Sequence, residues 1–444
     1  MKRIINDKDM VIRFDEDTGA VEFYSDNGTL QFEWVQHIGA ERDQITSVRV
    51  AKGTVFLPKD AGQYFSELKN LRTLDLNGFD TSNVTNMNRL FFGCESLKTL
   101  DLEKLNTSEV TDMSTMFACC SSMTDVDLSG FNTSKVTDMS DMFNGCTSLI
   151  TLDLSSLDMS RVTDVTNMFA HCVNLVSLSM GSFKTSSVTN MSLMFYGCKN
   201  LETIDWNDID TSNVTSMRCT FYECQSLTNL DLSNFKTSKV TEMSFMFEKC
   251  KNLINLNISS FDTSNVTDMS WMFAKCGKLA SIDLSGFNTS NATNMCAMFG
   301  ECEDLKELDL GSFDTSNVRD MYGMFKECRK LASIDLSGFD TSKVKDMSAM
   351  FYECKAIKEL DLSSFDTSNV TDMQGMFMNC EGLTYLDLNS FDTSKVTQMK
   401  KMFKNCSNLE RIIMNPAIHK NAKTSKMFDG CFAEVIWTDE GGKT

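Results

Sequence analysis

Proline is almost missing from this sequence: 444 residues contain two, Pro58 and Pro416. No linker rich in Pro, Gly or Ser divides the chain, so one continuous body is expected. Histidine is scarce as well, and His37, His171 and His419 stand far apart. No G-x-S-x-G, P-loop or dinucleotide fingerprint accompanies them, which argues against an enzyme. A basic excess is missing: 42 Lys and Arg face 61 Asp and Glu, for a net charge of −19. Nucleic-acid binding needs a basic footprint, so that class is disfavoured. No stretch approaches the roughly 18 apolar residues of a membrane-spanning helix. No apolar run of about 7–15 residues follows Lys2 and Arg3, as a secretory signal peptide requires. The C-terminal EVIWTDEGGKT carries no hydrophobic tail. The chain as read holds no export or anchoring segment.

What is present is repetition. Cys94, Cys120, Cys146 and their successors to Cys406 recur every 26 residues over thirteen copies, and Cys431 follows at 25. Phe91 to Phe403 and Ser82 to Ser394 keep the same phase without exception, and Val84 to Val396 breaks only at Ala292. The unit reads F-D-T-S-x-V-T-D-M-S-x-M-F-x-x-C-x-x-L-x-x-L-D-L-S-x. Repeat periods of about 20–50 residues signal stacked architectures. Ile45, Val48 and Val50 lie one period before Leu71, Leu74 and Leu76, so the repeats begin near residue 45. Terminal repeats are atypical because they close an exposed core. The expected divisions are a β-rich N-terminal cap over 1–44, a solenoid of about fourteen repeats over 45–414 and a C-terminal cap over 415–444.

Two periodicities alternate within a unit. Leu100 and Leu102 flank Asp101 in L-D-L, the alternation of a half-buried strand. Val84, Met87, Leu90, Phe91 and Cys94 follow steps of three, three, one and three, which suits a short helix or helical turn capped by Ser82 or Thr85. A short extended piece at Ser82–Thr85 before one helical turn is equally consistent. One unit cannot bury its apolar side alone, but stacked units can. The expected fold is an α/β repeat solenoid, leucine-rich-repeat-like, with one short parallel strand plus one short helix or helical turn per rung.

The L-x-x-L-x-L core is similar to leucine-rich repeats. The frame F-D-T-S-N-V-T-D-M with M-S-x-M-F-x-x-C-x-x-L-x-x-L-D-L resembles BspA-like leucine-rich-repeat surface proteins of bacteria, in their 26-residue subclass, over roughly residues 53–431. The resemblance implies a curved solenoid, adhesion or partner binding, and a cell-surface or secreted location. It implies no catalytic residue. The missing leader leaves a cytoplasmic location as the alternative.

Several columns invite a chemical reading. The ladder cysteines suit buried free thiols, since free Cys behaves as a small hydrophobe; inter-rung disulfides and metal ligation are the competing readings. Cys219 and Cys296 are expected in outward-looking columns. The L-D-L aspartates, among them Asp205, Asp231, Asp283 and Asp309, point outward. Hydrogen bonding to neighbouring Ser and Thr, calcium held between rungs and an acidic strip for a cationic ligand are the readings open to them. No other cofactor is expected. Leu193, Phe245, Trp271 and Tyr322 occupy the variable columns between the methionines, where other copies carry Ser, Ala, Gly or Lys. Phe245 and Trp271 share a column on adjacent rungs, so they should touch, and exposed aromatic pairs are enriched at interfaces. The Thr81, Ser82 and Thr85 columns fit turn chemistry. The leading expectation is a non-catalytic protein-binding or adhesion solenoid with a host or cell-surface protein as partner. The alternatives are a rigid spacer and an acidic decoy that imitates DNA towards a basic protein.

Overall fold

The computed structural model describes residues 2–7, 9–32, 34–181, 185–206, 209–415 and 422–438. Pro416, His419 and much of the expected C-terminal cap lie outside the described residues. Contacts divide the chain into two compact units, Met1–Val214 and Thr215–Thr444.

The first unit opens with an antiparallel meander, β1 (Lys2–Asp7), β2 (Met10–Asp15) and β3 (Ala20–Thr29). Strand β3 then pairs in parallel with β4 (Ser47–Phe56), and β4 carries β5 (Thr73–Leu74) and β6 (Phe79–Asp80). Val48 pairs with Leu74, one period on. The meander buries Phe14, Val21 and Phe23. The short helix α1 (Trp34–His37) buries its indole beside them, and the indole N–H donates to the Tyr64 carbonyl at 3.0 Å. A buried Trp N–H without a partner would cost about 1–3 kcal/mol, so this bond fixes the helix in place.

Parallel rungs follow. Strands β7 (Thr151–Asp153), β8 (Ser177–Ser179) and β9 (Thr203–Asp205) form one three-stranded ladder. Single parallel bridges at the T-D-M column run from Asp60↔Asn86 to Asp164↔Asn190. The second unit has the same construction. Strands β10 (Asn229–Asp231) and β11 (Asn255–Asn257) pair in parallel, as do β12 (Tyr385–Leu388), β13 (Arg411–Met414) and β14 (Glu434–Trp437). Bridges run from Ser216↔Glu242 to Gln398↔Lys423. Each unit is therefore a parallel β-solenoid. A ladder strand does not form in every rung: Ser281–Leu284, with I-D-L, and Glu307–Leu310, with L-D-L, keep the pattern without one.

The expected helix per rung is absent, and this corrects the sequence reading. Among the described residues only Trp34–His37 is α-helical, with a 3-10 turn at Arg42–Gln44. The M-S-x-M-F-x-x-C segment is instead a ribbon of overlapping turns. In one rung the N–H groups of Met350, Tyr352 and Cys354 donate three residues back, to Met347, Ala349 and Phe351. The alternate N–H groups, of Met347, Ala349, Phe351 and Glu353, donate to Asp372, Gln374, Met376 and Met378 of the next rung. An α-helix needs every N–H to reach four residues back; here half of them leave for the neighbour. Two positions per rung, Ala349 at φ 54° and Glu353 at φ 58°, are left-handed, as are their equivalents along the chain. Positive φ at the third residue of a four-residue turn is the type II signature. Ser82 has no helix to cap, and its N–H is held by Asp80 Oδ1 at 2.8 Å.

The inward columns fill the core. Val344, Met347, Met350, Phe351, Cys354 and Ile357 are all 0% exposed, as are their equivalents in most rungs. Each fully buried Phe is worth about 1.5–3 kcal/mol. In the first unit Phe117 and Phe143 stack at 5.5 Å, and in the second Phe351 and Phe377 stack at 5.7 Å with an interplanar angle of 1°. Such a pair adds about 0.5–1.5 kcal/mol beyond its area.

Candidate binding surface

Polar columns divide into those the backbone uses and those it leaves open. The cysteine ladder belongs to the first kind. Every cysteine is a free thiol. The thiol of Cys302 donates to the carbonyl of Phe273 at 3.1 Å, and Cys328, Cys354 and Cys380 repeat the bond to Phe299, Phe325 and Phe351. The Phe299 carbonyl accepts both the Cys302 N–H and the Cys328 thiol. Burial pushes these thiols up, Cys250 and Cys302 to about 12, so the donor form persists. Off the ladder, Cys119 is exposed and Cys296 half-buried, but Cys219 is buried at 7% exposure, which corrects its expected outward placement. Residues beside Cys219 remove it from water, and this burial, offset by the nearby Arg218, pushes its thiol to about 11.

The aspartate columns are also used by the backbone. Asp231, Asp283 and Asp309 are exposed, and the Oδ1 of each accepts the N–H two residues on, at 2.9–3.0 Å. Asp205 closes β9 in the first unit and is exposed. These Asx turns start the next corner. The N–H bond from Ser233, then its hydroxyl, hold the Asp231 carboxyl below its ordinary value; at Asp283 the Ser285 hydroxyl leads and its N–H follows. Asn257 does the same in this column at 3.2 Å, and Asn288 and Asn294 do it in the F-D-T and T-D-M columns. The columns therefore ask for an acceptor oxygen, which Asn supplies without charge. Among the described residues no group of three His, Cys, Asp or Glu side chains is placed to hold a metal ion.

The threonine columns are used as well. Thr289 is 0% exposed, and its hydroxyl donates to the Asp314 carbonyl at 2.9 Å. Thr267 and Thr293 donate to the carbonyls of Thr241 and Thr267.

The outward side of the turn ribbon is different. Leu193, Phe245 and Trp271 occupy the first left-handed position, at φ 60°, 60° and 57°, and all three are half-buried. Leu193 lies in the first unit; the two aromatics lie in the second. Their rings stack with centroids 6.2 Å apart and an interplanar angle of 6°. The Arg218 guanidinium stands 5.2 Å from the Phe245 centroid, and the Lys275 ammonium 5.4 Å from that of Trp271. Because the rings stack along the rungs, solvent meets their edges. Cys296 bonds the Trp271 side chain, and burial followed by the Asp320 charge pushes its thiol to about 12. Half-buried Tyr322 follows one rung later in the Cys296 column, with its N–H on Asp320 Oδ1 at 2.8 Å.

Sequence reasoning missed the residues that flank this pair. Lys249 Nζ lies 4.6 Å from the Tyr222 ring and 3.0 Å from Glu223. Lys275 pairs with Glu248 at 3.3 Å. Glu248 is only 4% exposed, and burial pushes its carboxyl up against the pull of Lys275. Among the described residues of the second unit before β12, the aromatics that are not buried, Tyr222, Phe245, Trp271, Tyr322 and Tyr352, all stand on the ribbon. The available signal was variability between copies: these columns hold Gly, Ala, Lys, Glu and aromatics in turn, while the strand-face column holds mainly Asp.

Fixed rungs carrying one variable face define a repeat solenoid. The chain belongs to the family described as "Mycoplasma protein of unknown function, DUF285", whose model matches residues 59–178, 149–255, 221–334, 252–359 and 319–436. That match and the 26-residue period fit a BspA-like repeat family. Among solved structures, the chain is similar to a leucine-rich repeat protein from Eubacterium ventriosum, at 15% identity over 82% of this chain and 97% of that one, with a TM-score of 0.37. It is also similar to a leucine-rich cell surface protein from Faecalibacterium prausnitzii, at 15% identity over 99% and 95% of the two chains, with a TM-score of 0.32. No curated protein matches the chain. Among the described residues no helix is long and apolar enough to cross a membrane.

Proposed function

We propose that this chain is a non-catalytic scaffold that binds a protein partner, as in adhesion, and that the ribbon face of the Thr215–Thr444 unit makes the contact. The observation that carries the reading is the placement of Phe245 and Trp271. A left-handed backbone costs a side-chain-bearing residue about 1–2 kcal/mol, and bulky residues there are outliers. The same column accepts Ala297, Gly323, Ala349 and Gly375 in the following rungs. Two large rings retained on adjacent rungs at such a position favour a role beyond folding. The strand-face carboxylates and ladder thiols serve the backbone, which favours binding over catalysis. Interchange of Asp with Asn weighs against a decoy that depends on carboxylate charge. The BspA-like repeat supports a site of action at the cell surface or outside it.

Photo-crosslinking in cells that express the chain tests the reading, with the reactive side chain placed at position 271 or, as a control, at position 283. A partner adduct from 271 that disappears in Phe245→Gly supports it. Equal adducts from both positions overturn it.

A further inference from the structure

Beside Trp271 the ribbon is notched. Ala274, Gly277 and Gly300 replace the longer side chains that neighbouring rungs carry at their positions, such as Glu248, Lys251 and Lys326. A Cβ built on Gly277 would meet nothing nearer than the Lys251 carbonyl at 3.9 Å. At Gly277 a cavity of about 480 Å³ is lined by Lys249, Lys251, Lys275, Gly277 and the carboxylates of Glu223, Glu301 and Glu303. Lys275 belongs to both features, since its ammonium also lies over the Trp271 ring.

Three lysines face three glutamates in this notch, yet the ion pairs leave one lysine over. Lys249 pairs with Glu223 at 3.0 Å, and Lys275 pairs with Glu248 at 3.3 Å and approaches Glu301 at 3.9 Å. Glu301 also meets Lys326, and Glu303 is held by Arg329 at 2.9 Å. Lys251 is exposed and forms no ion pair with any described residue. One uncommitted ammonium therefore lines the same cavity as Lys275, whose own ammonium lies over Trp271 of a ring pair that shows its edges, and aromatic edges carry the positive part of the ring quadrupole. Both features favour a negative group next to an apolar one.

We infer that the Trp271–Lys251 notch docks a protein segment that places an aspartate or glutamate side chain beside a bulky apolar residue. The carboxylate meets the Lys251 ammonium, and the apolar side chain lies against the Phe245 and Trp271 edges. The inference rests on the proposed ribbon-face contact and adds the chemistry of the partner. A sugar, which stacks on ring faces, is disfavoured because both faces are covered along the stack.

The test is selection from a displayed random heptapeptide library on three forms of the full chain: unaltered, Lys251→Glu, and Phe245→Gly with Trp271→Gly. Glycine already occupies this left-handed column at Gly323 and Gly375, so the double change leaves the backbone unstrained. Thermal melting of each form confirms folding. The unaltered chain should enrich peptides with Asp or Glu adjacent to a bulky apolar residue. Lys251→Glu should lower capture of those peptides about tenfold, a change of roughly 1.4 kcal/mol, and favour lysine in their place. The double glycine form should lose the apolar preference. Peptides that depend on Phe245 and Trp271 but carry no acid would sink the acidic partner and leave the ribbon contact standing. Enrichment indifferent to both aromatics, or none at all, overturns both.

Discussion

The strand face and the turn ribbon of the second unit both turn polar side chains to water, yet they obey different rules. On the strand face the outward residue must finish a hydrogen bond: Asp231, Asn257, Asp283 and Asp309 each accept the N–H two residues on. On the ribbon, past the N–H groups held by the T-D-M column such as that of Tyr322, the backbone closes its own bonds, through turns and through the next rung. Its left-handed column asks only for a tolerated φ, and Cys219, Phe245, Trp271, Ala297 and Gly323 follow one another there. A face whose side chains serve the backbone carries little information for a partner. A face whose side chains are free of that duty can carry a great deal.

The largest effect expected lies beneath the ribbon. Phe299→Ala removes a fully buried ring stacked on both Phe273 and Phe325, and should cost about 3–5 kcal/mol in denaturant unfolding. A cost under about 1 kcal/mol would mean the column is not a packed core. On the strand face, Asp283→Ala should lower the unfolding midpoint, as loss of a cap does, whereas Asp283→Asn should leave it nearly unchanged. Equal losses from the two would show that charge matters and break the contrast between faces. On the ribbon, Trp271→Gly should leave stability within about 1 kcal/mol, because relief of the left-handed strain offsets the lost packing. A large loss would make Trp271 a core residue.

Acid sharpens the same comparison. The strand-face carboxyls of Asp231, Asp283, Asp335 and Asp361 are held below their ordinary value by serine N–H and hydroxyl donors. Groups with depressed folded values stabilise above their unfolded value of about 3.9 and lose that contribution as pH falls through the folded one. Melting midpoints should therefore fall below about pH 4. Glu248 and Asp320 are shifted the other way, chiefly by burial, so their protonation on acidification favours the folded state and opposes the loss. The smallest effect expected is that of a chelator. If the aspartates cap turns, removing calcium leaves the melting midpoint unchanged, and a downward shift would restore the reading of calcium between rungs.

Much of this was legible in the sequence because a strict period converts position into stacking. Phe91, Met87, Cys94 and Leu97 could be read as core columns, and all four are 0% exposed. The helix was misread because steps of three, three, one and three fit a helical stripe and a turn ribbon equally well. The distinguishing signal was chemical: Gly93, Gly145 and Gly197 share one left-handed column with Asn379 and Asn405, residues that tolerate that conformation. Contact between Phe245 and Trp271 followed from the period alone. Their companions did not, because only the turn geometry brings Lys275, four residues past Trp271, over its ring.

The thiol ladder has a kinetic consequence. Each sulfur is sealed in its own rung, and only the thiolate reacts with common labels. Labelling must then wait for that rung to open. A single-cysteine series would read opening rates one step at a time, turning the ladder into a set of clocks distributed along each stack.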